Sequence, residues 1–232
     1  MHARLLALAL AAFTLTACAA DSAEEVTEGD EAAVEATTAK ALLAKTATCS
    51  KKISKAPFSR DEGRAANIDV CGLDGAVFFK ADMDIDCDGK TSSVCNRRTD
   101  PSYQSETAAT DSKGQPLDAA TLPYIVLPIP SSARWDYRAS GIKLGSVAAV
   151  VYKDKVVYGI VGDIGPTKIL GEASYAAAKS LGINADPARG GVDSGVTYIV
   201  FTGTSGVVKK KEDHAEAVRV GKARAAQLSA TK

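Results

Sequence analysis

The chain has 232 residues, 46% of them hydrophobic, with 28 basic and 28 acidic side chains and a formal net charge of zero. That length suits one sizeable core with appendages rather than two full domains. A nucleic-acid partner is excluded: such a partner needs Lys, Arg and aromatic residues gathered on one face, and here the one dense basic cluster, Lys209-Lys210-Lys211, runs straight into acids.

In chain order, Met1-His2-Ala3-Arg4 is a short positive start and residues 5–15 are an apolar run too short to span a bilayer, the pattern of a signal peptide. Leu15-Thr16-Ala17-Cys18 resembles the lipobox of bacterial lipoproteins, in which the thiol at the cleavage site is diacylated. The resemblance implies a lipid on Cys18 and an exported chain anchored to the bacterial envelope or surface without a transmembrane helix. A plain secretory peptide cut nearby is the alternative. Residues 19–48 are rich in Ala, Glu, Thr and Asp with few large apolar side chains, and are expected to be a disordered acidic tether.

Residues 49–206 are expected to form the folded catalytic domain. Cys49, Cys71, Cys87 and Cys95 are an even set once Cys18 is set aside, which in an exported protein reads as two disulfides. Three connectivities exist; a short local loop Cys87–Cys95 is favoured, which leaves Cys49–Cys71. A zinc site is the rival, opposed by the absence of CxxC spacing and of histidines near the cysteines. Short apolar runs rich in Val, Ile, Tyr and Phe predict strands over 76–86, 124–128, 146–152, 155–162 and 197–202, separated by turn signals such as Asp88-Gly89 and Lys153-Asp154. One helix is predicted over 172–181, ended by Gly182. Residues 207–232 read as a charged helical tail, a solvated appendage with a weak apolar stripe. The fold class is therefore mostly β with one or two short helices.

Two constellations carry chemistry. In Ala81-Asp82-Met83-Asp84-Ile85-Asp86-Cys87-Asp88-Gly89, an extended chain sends Asp82, Asp84 and Asp86 to one face and the apolar residues to the other. A row of like charges in a strand is repulsive and calls for a cation or for open solvent. Asp84-x-Asp86-x-Asp88-Gly89 matches the opening of an EF-hand loop, but Cys95 stands where the bidentate Glu belongs, so calcium is a minor alternative to a polyamine sugar. In the second constellation, Tyr158-Gly-Ile-Val-Gly162-Asp163-Ile-Gly165-Pro166, an apolar strand ends in a glycine-flanked carboxylate, and Glu172 follows nine residues later. Glycoside hydrolysis needs one carboxyl kept protonated and another kept ionised, and two carboxyls from separate elements fit that need. On spacing alone, a turn-capping Asp163 and a Glu172 that merely favours a helix N-terminus remain open.

The segments 81–89, 123–128, 159–166 and Gly171-Glu172-Ala173-Ser174 together, in this order, resemble the fungal-type chitosanases of glycoside hydrolase family 75, over roughly residues 49–203. The resemblance implies endo-hydrolysis of β-1,4 links in chitosan with inversion, with Asp163 and Glu172 as the essential pair and no cofactor. Glu172 is expected as general acid and Asp163 as general base, with carboxyls roughly 6.5–9.5 Å apart. A helix N-terminus at Glu172 would lower its pKa, which works against the acid role. Asp82, Asp84, Asp86, Tyr124 and Trp135 are the expected substrate-binding residues, and a monomer is expected. The strand, Gly-Asp-x-Gly-Pro, short-helix order also resembles double-psi β-barrels, implying a six-stranded barrel of that kind. It supplies two alternatives: a peptidoglycan-active enzyme of rare lipoprotein A type, and a non-catalytic expansin-like binder in which Trp135, Tyr137 and Tyr124 stack on sugars.

Overall fold

The computed structural model describes residues 28–231; the signal peptide and Cys18 lie outside the described residues. Seven strands form: β1 (Cys71–Leu73), β2 (Ala76–Asp86), β3 (Tyr124–Pro128), β4 (Val147–Tyr152), β5 (Lys155–Gly165), β6 (Glu172–Ser174) and β7 (Val192–Phe201). Six of them close into a barrel in the order β2-β6-β3-β5-β4-β7, with β7 pairing back to β2 and β1 added along the start of β2. The expected six-stranded, mostly β barrel is thus what forms. The β2–β6 and β3–β5 pairs are parallel and the other ring pairs antiparallel. The β4–β5 hairpin turns through Lys153-Asp154, with Lys153 at φ 57°.

The strands read as continuous apolar runs because both of their faces are covered. Alternate residues face opposite sides of a barrel wall. Phe78, Ala149 and Phe201 belong to the buried cluster that takes in helices α1 (Glu28–Lys45) and α3 (His214–Ala230). Phe79, Ile125, Val150 and Val200 pack instead with α2 (Tyr175–Leu181), Phe58 and Trp135. Across β2 and β7, Phe79 stacks on its register partner Tyr198 with ring centroids 4.8 Å apart. Both disulfides form as favoured, Cys49–Cys71 and Cys87–Cys95.

Three segments differ from the sequence expectation. Residues 28–45, read as part of a disordered tether, are the helix α1. Its apolar stripe is narrow, but Ala39 and Leu42 are fully buried, and Glu35 accepts a hydrogen bond from Val156 N at 2.9 Å. Composition missed it because most of the apolar surface comes from the partner. The tail is likewise not a solvated appendage: α3 is capped by the Asp213 side chain and buries Ala217, Gly221, Ala225 and Leu228. Arg224 reaches over the Phe201 ring to the carbonyls of Gly75 and Thr202. Finally, the helix predicted from Glu172 starts at Tyr175, because the Ser174 hydroxyl caps it by accepting from Ala177 N. Glu172 itself is a strand residue. Among the described residues no helix is long and apolar enough to cross a membrane.

Gly221 lies flush on the barrel: a Cβ there would sit 2.2 Å from Tyr158 Cδ1 and 2.6 Å from Cγ of the same buried ring. Replacing a mid-helix glycine by alanine ordinarily stabilises by about 1 kcal/mol, but overpacking against a fixed ring costs roughly 1–3 kcal/mol. Gly221→Ala is therefore expected to lower the melting temperature by several degrees in a calorimetric scan, the reverse of the usual sign.

Candidate active site

The site lies where β2, β6, β3 and β5 run side by side. Asp163 is near the end of β5, and Glu172 opens β6, paired in register with Asp84 of β2. β3 runs between β5 and β6, with Ile125 opposite Ala173. Glu172 nevertheless reaches across: a Cβ on Gly165, two residues past Asp163, would lie 2.9 Å from Glu172 Oε2. The bare backbone of Gly165 makes room for that carboxyl. Gly171, at φ 128°, is held more tightly still. A Cβ there would fall 2.0 Å from Asp82 Oδ1, so only glycine lets the chain enter β6 beside Asp82.

The two carboxyls are held differently. Asp163 is 8% exposed, and its Oδ1 accepts hydrogen bonds from Ala108 N at 2.8 Å and Ile164 N at 2.7 Å. Burial raises its pKa, and the two backbone donors oppose the rise by favouring the ionised form. Burial pushes the Glu172 carboxyl up to about 7, and the charges of Asp84, Asp88, Asp163 and Asp82 add to the rise. The expected lowering by a helix N-terminus does not operate, since the helix begins three residues later.

The acidic row on β2 is partly buried rather than a solvated edge. Ala81 and Met83 pack in the same buried cluster as Phe79, while Cys87 is buried in the other, yet Asp82 and Asp86 are buried as well, and only Asp84 is exposed. The register against β7 shifts at Asp82, where one residue of β2 faces several of β7. Burial lifts Asp82 to about 7, with Asp84 adding to the rise, and holds Asp86 well above the ordinary carboxylate range. Asp88 is pushed up to about 6 by burial, although Gln104 N donates to it. One oxygen from each of Asp86, Asp88 and Asp163 lies within 4.8 Å of the others, and a second trio comprises Asp61, Asp82 and Asp84. The EF-hand reading is corrected by this split, since Asp84 converges with a different group from Asp86 and Asp88.

Tyr124 and Trp135 offer no stacking platform. Tyr124 is fully buried with its hydroxyl donating to the Asp88 carbonyl at 2.9 Å. Trp135 is 5% exposed and packs edge-on to Tyr137, its Nε1 donating to Ser140 Oγ. Trp135 lies in a polar stretch, residues 131–140, yet its ring is buried. The expansin-like reading loses its platform with them, Tyr137 included. Sequence reasoning missed Asp61 and the Ala108 amide. Asp61 sits in a polar loop without periodicity, and a backbone donor carries no residue signature.

A closed barrel that brings the carboxyls of Asp163 and Glu172 to the same glycine-lined stretch of its wall fits a glycoside hydrolase. The family model described as fungal chitosanase of glycosyl hydrolase group 75 matches residues 83–227. Endo-chitosanase B of Aspergillus oryzae is 33% identical over 194 residues, covering 74% of this chain and 81% of the relative. Endo-chitosanase of Aspergillus fumigatus is 36% identical over 141 residues, 56% of this chain and 59% of the relative. Endo-chitosanase C of Aspergillus oryzae is 34% identical over 177 residues, 72% of this chain and 44% of the relative. The chain belongs to the chitosanase family of glycosyl hydrolase group 75.

Buried carboxyls whose folded pKa lies above the unfolded value favour the fold when protonated. The stability held by Glu172 and Asp82 is therefore full below about pH 4, the ordinary carboxyl value, and is lost as pH rises through about 7. The melting temperature is expected to fall between pH 5 and pH 8, and Glu172→Gln to flatten that fall, both read by calorimetry across the range.

Proposed function

We propose that the protein is an endo-acting chitosanase that cleaves β-1,4-glucosaminidic bonds with inversion, Glu172 serving as general acid and Asp163 as general base. The observation that carries the role split is the opposite treatment of the two carboxyls: Asp163 accepts two backbone N–H bonds that favour its anion, whereas Glu172 is raised to about 7 by burial and negative neighbours. In the reaction Glu172 gives its proton to the glycosidic oxygen as the C1–O bond breaks. Asp163 takes a proton from the water whose oxygen bonds to C1 from the opposite face. Glu172 ends ionised and Asp163 protonated, and exchange with solvent resets both. Gly165 supports the inverting geometry, because a carboxyl poised over it stands two strand residues from Asp163, roughly 7 Å along β5.

The substrate's protonated amines are opposite in charge to the acidic wall, so Asp82, Asp84 and Asp86 are the substrate-binding residues, joined by Asp88. Two disulfides support export to an oxidising compartment. The Cys18 motif supports a lipid anchor at the cell envelope, with residues 49–206 as the catalytic domain and a monomer as the working unit.

The test is product formation from highly deacetylated chitosan, with chitin and peptidoglycan in parallel. Oligomers are expected from chitosan, and Glu172→Gln and Asp163→Asn are each expected to lose activity by about 10²–10⁴-fold. Cleavage of peptidoglycan with chitosan untouched would reject the reading. Activity on chitosan should also fall as pH rises above about 7, where Glu172 gives up its proton. Cys18→Ala is expected to move the protein from the membrane pellet to the soluble fraction, and its persistence in membranes would reject the anchor.

A further inference from the structure

On the helical side of the barrel, α1 and α3 touch but leave a groove between them, floored by β5. Its volume of about 740 Å³ falls in the range of roughly 300–1,000 Å³ typical of ligand pockets. Val34 and Ala41 from α1, Val218 and Ala225 from α3, and Val157 and Tyr158 from β5 line it. Val34 is 64% exposed, one of two large apolar side chains left so open among the described residues. An apolar wall facing water is costly, and a long apolar ligand laid along it removes that cost.

One polar group opens into this apolar space. Tyr158 is 6% exposed, with Gly221 of α3 lying flush on its ring. Its hydroxyl makes no hydrogen bond among the described residues, yet it is not one of the sealed polar atoms, so it keeps open surface where it lines the groove. Burial, and with it the charge of Glu35, push that hydroxyl up to about 12, so it remains a donor at ordinary pH. Glu31 and Glu35 outnumber Lys222 in the groove wall, which disfavours a carboxylate and favours a neutral acceptor such as an ester carbonyl.

The groove follows α1 from Glu31 to Ala41, and α1 begins at Glu28. Residues 19–27 separate Cys18 from that helix. Nine residues span at most roughly 30 Å, whereas the groove occupies about 15 Å of helix. A chain carried on Cys18 therefore reaches the whole of it.

We propose that the groove between α1 and α3 is a binding site for an acyl ester, with Tyr158 donating to the ester carbonyl, and that its occupant is one acyl chain of the lipid on Cys18. The inference rests on the lipid-anchor reading and goes beyond it. One chain is held by the protein and the remainder by the bilayer, so the barrel is drawn against the membrane by its helical side.

The test uses the full chain in two forms, the lipidated protein in membranes and the Cys18→Ala protein from the soluble fraction. Calorimetry on the soluble form takes glycerol monolaurate as the ester probe and laurate as its charged counterpart. Glycerol monolaurate is expected to bind, and laurate about tenfold more weakly. Tyr158→Phe is expected to weaken the ester about fivefold, the loss of one hydrogen bond. Ala226→Trp, which fills the groove from α3, is expected to remove binding while activity on chitosan stays unaltered. Hydrogen exchange over residues 31–41 is expected to be about tenfold slower in the lipidated form, a difference that disappears when both forms carry Ala226→Trp. A soluble form that binds no ester, or binds it equally well with Ala226→Trp, would overturn the groove as a site. Laurate bound more tightly than the ester rejects the ester assignment. Equal exchange in the two forms rejects the Cys18 lipid as occupant. A Cys18 that carries no lipid by mass spectrometry rejects the anchor reading and this occupant with it, and the binding arm still decides the site.

Discussion

Burial of carboxyls in a poorly solvated wall, reinforced by their mutual repulsion, is the constraint around which this molecule is arranged. Asp82, Asp84, Asp86, Asp88, Asp163 and Glu172 all have pKa values raised, and burial is the leading cause for each. Such a set cannot be fully ionised without a compensating cation, so at neutral pH it holds protons or awaits a positively charged ligand. The site is a standing cost to the fold, offset elsewhere. The closed ring of strands leaves the barrel no open edge, and the Phe79–Tyr198 stack ties β2 to β7 directly behind the acidic row.

The same constraint accounts for the division of the proposed catalytic pair between strands. Had both carboxyls come from β2 they would have shared one environment and one protonation state. β5 instead delivers Asp163 to the amides of Ala108 and Ile164, while β6 places Glu172 beside other carboxyls and, among the described residues, within reach of no backbone donor. The loop carrying Ala108 is anchored at its start by Cys87–Cys95 and by the Tyr103 hydroxyl donating to the Gly89 carbonyl at 2.7 Å. A covalent crosslink next to the acidic cluster thereby helps hold the loop whose amide Asp163 accepts from.

Much of this architecture was legible because long apolar runs leave few choices. The limits of β2 and β3 were read correctly from 76–86 and 124–128, and β5 only lacked its last three residues. β1 and β6 were invisible, being three residues each, too short for any period to register. Glu172 was placed on a helix because its neighbours are helix formers; pairing with β2 and the Ser174 cap override that propensity. α1, by contrast, follows the helix propensity of its alanine- and glutamate-rich stretch, which its low apolar content had obscured. Asp163 and Glu172 were found through motif resemblance, since their spacing alone fitted an ordinary turn and helix start. Tyr124 and Trp135 were misjudged because ring exposure depends on how distant segments fold across them, which local polarity does not record.

α1 ends at Lys45, and four residues later Cys49 is bonded to Cys71 at the start of β1. Tension applied along the chain from its N-terminus would meet the elements in that sequence. The helix, held by a narrow apolar stripe and the Glu35 contact, would peel away first and absorb the initial extension. Further load would then pass through a covalent crosslink to Cys71 in β1, at the margin of the ring, before it reached the strands that carry Asp163 and Glu172. A chain held at its N-terminal end would thus yield by lengthening its own leash, and the strand ladder that positions Asp163 and Glu172 would be the last part to feel the pull.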